Sequence, residues 1–273
     1  MRAYPTGGMP ADLSTEAIDA ALRGRWGRPF RYFDSIGSTN TEALAWAEAG
    51  APEGALVVAN HQTEGRGRWG RSWLSAPGSL LQFSLILRPD MPVERLGLVT
   101  TALGVACADV IEVLAGVPTG IKWPNDVIVR GRKLAGILVE SKLTGPKLTT
   151  AIAGVGINVG WERAEVPDEI AERATSIAIE SDSTPPSRAD LLGAILASFE
   201  SVYELAADPD RSGRVIDRAT DRSEVLGRNV TVSFADGATV EGHALRLLDD
   251  GALELDVDGD LRALHVAEIT QLR

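Results

Sequence analysis

The sequence predicts an α+β protein that ends in a small module made of strands alone. Two observations carry this expectation. Up to about residue 222, apolar residues recur every three or four positions in some stretches and as short β-branched runs in others, so helices and strands share one region. From Ser223 onward only strand texture remains, broken by Asp236-Gly237, Asp250-Gly251 and Asp258-Gly259, which are hairpin turn signals. The chain has 273 residues, 44% of them hydrophobic, enough for one large core and a small second one. We divide it into an N-terminal segment with a short helix (1–27), a main domain (28–222) and a strand module (223–273).

The elements follow in order. Ser14 is a suitable N-cap for a helix running to Arg23, with Leu13, Ala17, Ile18, Ala21 and Leu22 on one face. Arg28–Ile36 reads as extended because Phe30, Tyr32 and Phe33 cluster there. An Ala-rich helix over Thr41–Ala49 is closed by Gly50, and Ala55–His61 and Ser79–Leu87 read as buried strands. Val93–Ala115 carries the longest helical pattern, ended by Gly116 and Pro118. Strands at Val127–Val129, Leu134–Val139 and Leu148–Val159 are separated by turns at Arg130-Gly131-Arg132 and Thr144-Gly145-Pro146. After a polar loop at Glu180–Ser187, helices are expected over Asp190–Leu205 and Val215–Arg222. The tail offers four strands, Asn229–Phe234, Thr239–Leu248, Ala252–Val257 and Leu261–Val266, which fit a small β-barrel or sandwich.

Charge and composition exclude several classes. The net charge of −11, with ten acidic against four basic residues from Ser223 onward, argues against general nucleic-acid binding. No window holds the roughly 18 unbroken apolar residues of a membrane span, and the N-terminal residues Asp12, Glu16 and Asp19 do not suit a secretory signal. Cys107 is the only cysteine and sits in an apolar stretch, which fits a buried, inert thiol and a cytoplasmic location. His61, His243 and His265 have no metal-site spacing, and neither a G-x-S-x-G elbow nor a Walker A loop is present.

Against this acidic background, Gly65-Arg66-Gly67-Arg68-Trp69-Gly70-Arg71 stands out, with three glycines and three arginines in seven residues. Glycine lets backbone approach a ligand, and arginine presents a planar fork of donors to phosphate or carboxylate. A mobile clamp for an anion, an RNA-contacting loop and a solvated loop all remain open at this point. A second cluster, Lys122-Trp123-Pro124-Asn125-Asp126 with Lys133-Leu134-Ala135-Gly136-Ile137-Leu138, gathers cations, an amide and a carboxylate at one hairpin end, although either lysine alone could be a sheet-edge charge. Alternation puts Gly154, Gly156 and Asn158 on one strand face, where a flat ring or a closely packed helix would fit. Ser38-Thr39-Asn40 either caps the next helix or offers polar groups to a ligand. No nucleophile stands beside a base, so catalysis by positioning and electrostatics is favoured.

Together with Gln62 and Gly156-Ile157-Asn158, these motifs resemble those of biotin protein ligases, in order and spacing, from about residue 30 to the end. The resemblance implies a mixed β-sheet flanked by helices, of the class II synthetase-like biotin/lipoate ligase fold, with an SH3-like C-terminal domain. It implies that biotin and ATP, with Mg²⁺, form biotinyl-5′-AMP, which then acylates one lysine of a biotin carboxyl carrier protein such as that of acetyl-CoA carboxylase.

Roles carry over by position. Ser38, Thr39, Asn40, Gln62, Gly65, Arg66, Gly67, Arg68, Lys133 and Gly136 would surround biotin. Arg68, Arg71, Trp73, Trp123, Asn125, Gly156 and Asn158 would surround the nucleotide. Lys133, Arg68, Lys122 and Asp126 would be the catalytic set, with Asp126 also the metal candidate and a candidate base for the incoming lysine. Trp69 stands where other members often carry arginine, and it would stack either on the ligand or on a neighbouring wall. Only about thirty residues precede the matching region, against the winged helix-turn-helix of about sixty in many bacterial members, so ligation without DNA-bound repression is expected.

Overall fold

The computed structural model describes residues 12–74, 76–144 and 147–272. Its elements are α1 (Thr15–Ala21), β1 (Phe30–Phe33), α2 (Thr39–Glu48), β2 (Leu56–Ala59), β3 (Leu80–Leu87), α3 (Gly97–Ala115), β4 (Gly120–Lys122), β5 (Asp126–Val129), β6 (Arg132–Thr144), β7 (Lys147–Asn158), α4 (Ile177–Glu180), α5 (Arg188–Ala207), α6 (Gly213–Asp221), β8 (Asn229–Ser233), β9 (Thr239–Leu247), β10 (Leu253–Val257), β11 (Asp260–Leu264) and β12 (Glu268–Leu272). The first seven strands form one mixed sheet in the order β1-β2-β3-β7-β6-β5-β4. Only the β1–β2 pair in it is parallel, and every other neighbouring pair is antiparallel.

The two faces of this sheet differ because side chains alternate along each strand. One face carries Leu56, Val58, Leu81, Phe83, Leu85, Val155 and Ile157 and packs under α3 and α5 in the main core. The other face carries Val57, Ile86 and Ile152 at one end, where Ala43 and Ala47 of α2 cover them. Further along the same face, apart from Leu138 opposite Gly154, the apolar residues give way to small and polar ones. Ser84 faces Gly154, Gln82 faces Gly156, and Gly156 faces Gly136 across the ladders. The sheet therefore has a bare, polar-edged floor beside α2.

Local chemistry accounts for the punctuation. Gly116 caps α3 at φ 66°, and Arg130 and Gly131 both take positive φ, which makes the tight turn between β5 and β6. Asp258 and Gly259 do the same between β10 and β11. Arg188, at the start of α5, is 1% exposed; its guanidinium pairs with Asp12 at 2.6 Å and donates to Asn60 Oδ1 at 2.8 Å and Leu80 O at 3.2 Å. The segment Val93–Ala115 is long and apolar enough to cross a membrane, but 72% of its most apolar window is buried within the fold. Cys107 is buried as expected, and burial pushes its thiol up to about 12.

The tail differs from expectation by one element. It forms a five-stranded antiparallel sheet in the order β11-β10-β9-β8-β12. The fifth strand, β12, was not expected, because Glu268-Ile269-Thr270-Gln271-Leu272 is short and lacks a turn dipeptide before it. It returns to pair with β8. The expected strand Leu261–Val266 is shifted to Asp260–Leu264. The turn at Thr144-Gly145-Pro146 falls partly outside the described residues, although Thr144 and Lys147 pair across it. Residues 1–11 of the N-terminal segment also lie outside them.

Candidate active site

Above the bare floor lies a cavity of about 540 Å³. It collects residues from the start of α2, the arginine loop, the β4–β5–β6 hairpins, β7 and β12. One end is dense in hydrogen bonds among uncharged side chains, with the Arg66–Glu140 pair at its edge. Thr39 donates to Gln62 Oε1 from its backbone N at 2.6 Å and from its hydroxyl at 2.9 Å, and Gln62 Nε2 donates to Gln82 Oε1 at 2.8 Å. Ser84 Oγ lies 2.7 Å from Thr39 Oγ1 and 2.5 Å from Asn40 Oδ1, so its one proton serves one of them. Asn40 Nδ2 donates to Glu140 Oε2 at 2.7 Å. Ser38 is the N-cap of α2 by position, yet its side chain makes no capping bond and lines the cavity instead.

The other end is ionic. Lys122, Lys133, Arg68 and Arg71 line it together with Asp126 and Glu268. Lys133 Nζ is 2.5 Å from Asp126 Oδ1 and 5.3 Å from the Trp73 ring centroid. Burial pushes the Lys122 amine down, against the pull of Asp126 and Glu268. Burial also lowers Arg68, opposed by Glu268 and Asp126, and the guanidinium remains a cation. For Glu268, burial alone would raise the carboxyl, but Arg71, Arg68 and Lys133 leave it below its usual value.

The arginine loop is fastened at both ends. Arg66 pairs with Glu140 at 2.8 Å, and Arg71 makes a two-pronged pair with Glu268 of β12. Arg68 donates to Ala267 O at 2.9 Å. Gly65 makes the loop's closing pair: Trp73 N donates to Gly65 O, and a Cβ at Gly65 would lie 2.5 Å from Trp73 O. The Trp73 ring lies over the floor, so a Cβ added at Gly156 would come within 2.6 Å of it and one at Gly136 within 2.9 Å. The flat ring that the glycine face suggested is thus, in this structure, the protein's own. Beyond it, Asn158 Nδ2 donates to Thr175 O at 2.9 Å, while its buried Oδ1 has no partner.

Most of the residues named from sequence meet here: Ser38, Thr39, Asn40, Gln62, Arg66, Gly67, Arg68, Arg71, Trp73, Lys122, Asn125, Asp126, Lys133, Gly136, Gly156 and Asn158 all line the cavity. Two do not. Gly65 shapes the loop from behind. Trp123, expected beside the nucleotide, is instead 5% exposed and donates Nε1 to Gly251 O at 3.1 Å, so it fills the seam with the C-terminal sheet. Trp69 does not line the cavity; the Arg68 and Arg71 guanidiniums lie over its ring.

Sequence reasoning also missed several members. Gln82 and Ser84 were visible as polar residues alternating inside Leu80–Leu87, a pattern that should have marked a polar face. Glu140, Glu268, Trp161 and Arg173 had no such signal, because each reaches the site only through tertiary folding.

The chain matches the biotin/lipoate A/B protein ligase family over residues 32–158. It is 36% identical over 263 residues to a bifunctional ligase/repressor of Bacillus subtilis, covering 95% of this chain and 79% of the relative. It is 35% identical over 257 residues to the biotin–[acetyl-CoA-carboxylase] ligase of Mycobacterium tuberculosis, covering 90% of this chain and 91% of that protein. Among solved structures, the biotin protein ligase of Aquifex aeolicus in complex with biotin and ATP superposes with a TM-score of 0.74 at 26% identity, over 90% of this chain and 99% of that one. A ligase of the biotin/lipoate class is what this fold and cavity define. More narrowly, the chain belongs to the biotin protein ligase family.

Proposed function

We propose that the protein activates biotin with ATP to biotinyl-5′-AMP and transfers the biotinyl group to one lysine of a biotin carboxyl carrier domain, such as that of acetyl-CoA carboxylase. One observation carries this reading: arginines of a single loop and lysines of a neighbouring hairpin line the same cavity, whose other end presents the uncharged side chains of Ser38, Thr39, Asn40 and Gln62. The uncharged end suits the ureido group of biotin, with Thr39, Asn40 and Gln62 as its partners. The cationic end suits the carboxylate and the phosphates. The A. aeolicus structure holds both small molecules.

In the first step a carboxylate oxygen attacks the α-phosphorus and pyrophosphate leaves. The two reactants are both anions, so Lys133, Arg68 and Lys122 lower their repulsion and the charge that builds in the transition state. Asp126 orients Lys133 through the 2.5 Å contact. In the second step a neutral lysine amine attacks the anhydride carbonyl and AMP departs. The loop, fastened by Glu140 and Glu268, keeps water from the anhydride in between. At the far end, the unpartnered Asn158 Oδ1 is suited to accept from the exocyclic amine of adenine.

Mg²⁺ fits as a companion of ATP. Among the described residues, no group of three or more His, Cys, Asp or Glu side chains is placed to hold a metal ion. A magnesium held by one carboxylate, phosphate oxygens and water needs only Asp126 on the cavity wall. When bound, it would neutralise part of the phosphate charge.

We read residues 28–222 as the catalytic domain and 223–273 as an SH3-like module that closes one end of the site. The net charge of −11 supports ligation without DNA binding, and we place the reaction in the cytoplasm. Incubation with ATP, biotin and a competent carrier domain is expected to label the carrier and release pyrophosphate, with lipoate unable to replace biotin. An unlabelled carrier would refute the reading.

A further inference from the structure

Trp69 is the one residue other than glycine in the arginine loop that the mechanism above does not use. It sits at the tip in the left-handed region, φ 56° and ψ 36°, which a bulky side chain seldom occupies. Its ring is 38% exposed. A large aromatic at a strained, half-exposed tip needs a compensating contact, and two are present. The Arg68 guanidinium lies 5.1 Å and the Arg71 guanidinium 5.6 Å from the ring, both within cation–π range.

The geometry of the guanidinium gives this arrangement a use. Its N–H groups radiate in the plane, while its two faces carry no donors. An indole on a face therefore fixes the group without consuming an N–H. Among the described residues, the bonds that Arg68 and Arg71 make are edge bonds: Arg68 to Ala267 O, and Arg71 to Arg68 O and Glu268. Both guanidiniums line the cavity, whereas Trp69 does not. The ring is therefore an exposed neighbour of two cavity-lining cations and not itself part of the wall.

We propose that Trp69 is a positioning residue: its indole holds the Arg68 and Arg71 guanidiniums by their faces, so that their remaining edges stay turned toward the phosphate of a bound acyl-adenylate. The assignment rests on the function proposed above. It predicts that the aromatic face matters, and that neither the size nor the greasiness of the side chain substitutes for it. It also predicts that the effect falls on retention of the adenylate and not on recognition of the acceptor.

Three proteins test this: the wild type, Trp69→Tyr, which keeps a π face, and Trp69→Leu, which keeps only an apolar surface. Each is loaded with biotinyl-5′-AMP and its dissociation rate is measured, followed by the KM for the carrier domain. In parallel, the ligand-free proteins are digested with trypsin and cleavage after Arg71 is followed, because the residues flanking that bond are unchanged. Trp69→Leu is expected to release the adenylate about tenfold faster and to be cut faster after Arg71. Trp69→Tyr should stay within about threefold of wild type on both counts, and the acceptor KM should not move in either variant. Equal off-rates in wild type and Trp69→Leu would overturn the proposal, as would a tyrosine variant as leaky as the leucine one. A raised acceptor KM with an unchanged off-rate would also overturn it, assigning Trp69 to the partner instead. A wild-type protein that binds no biotinyl-5′-AMP would overturn the functional reading itself, and the phosphate assignment with it, whatever the cleavage pattern.

Discussion

At the residue scale, Lys133 is where the largest effect is expected. It reaches the ionic end of the cavity beside Asp126, and replacing it removes a donor from the point where charge develops. Lys133→Ala is expected to slow adenylate formation by about 10²–10³-fold, read by pyrophosphate release, with the thermal midpoint little changed. Ser84 tests the opposite end. It is fully buried, and its hydroxyl lies within bonding distance of both Thr39 Oγ1 and Asn40 Oδ1. Ser84→Ala should cost about 1–3 kcal/mol of stability, measured by denaturant unfolding, and should weaken biotin binding as well. An unchanged unfolding curve would mean that solvent replaces the hydroxyl without penalty.

At the element scale, the decisive feature is β7, where one strand face changes from Ile152 under α2 to Gly154 and Gly156 under the cavity. A Cβ at Gly156 would sit 2.6 Å from Trp73 Cε2. Because Trp73 is only partly buried, it can yield where a packed core could not. Gly156→Ala is therefore expected to displace the indole and raise the Kd for the adenylate about tenfold or more, while the fold survives. A lowered melting temperature with unaltered affinity would show that Gly156 serves packing alone. Much of this was legible in sequence. Alternation placed Gly154, Gly156 and Asn158 together, and the Arg130-Gly131 turn joins β5 to β6, the pair that sets Asp126 opposite Gly136. What occupied the floor was not legible: nothing local to Trp73 says that it folds back over a strand more than eighty positions away. The same holds for Trp123, whose motif neighbours reach the cavity while its own indole turns to Gly251. Motif membership identifies a neighbourhood, and direction within it is decided by packing.

At the scale of the whole molecule, the C-terminal sheet is part of the site. Glu268 and Thr270 line the cavity, and Glu268 fastens the arginine loop through Arg71. Its position in the chain hid this, since β12 lies almost two hundred residues beyond the loop it holds. The Glu268 carboxyl is held below its ordinary value of 4.5 although burial alone would raise it. A depressed carboxyl contributes stability that is fully present above the unfolded value and disappears as the pH falls through the folded one. Wild type should therefore melt higher than Glu268→Gln at neutral pH, and the gap should close only below about pH 4.5, traced by melting temperature against pH. A gap that persists into strong acid would show that the loop is held by something other than this ion pair.

The bare floor has a further consequence for anyone wishing to redirect the enzyme. Glycine is the smallest residue available, so mutation at Gly136, Gly154 or Gly156 can only subtract room, and the hydrogen-bonded ladder beneath them cannot retreat. Space for a bulkier acyl chain has to come from above, out of α2, the loop or the Trp73 side chain, and those are the places where a library of altered specificity should be built.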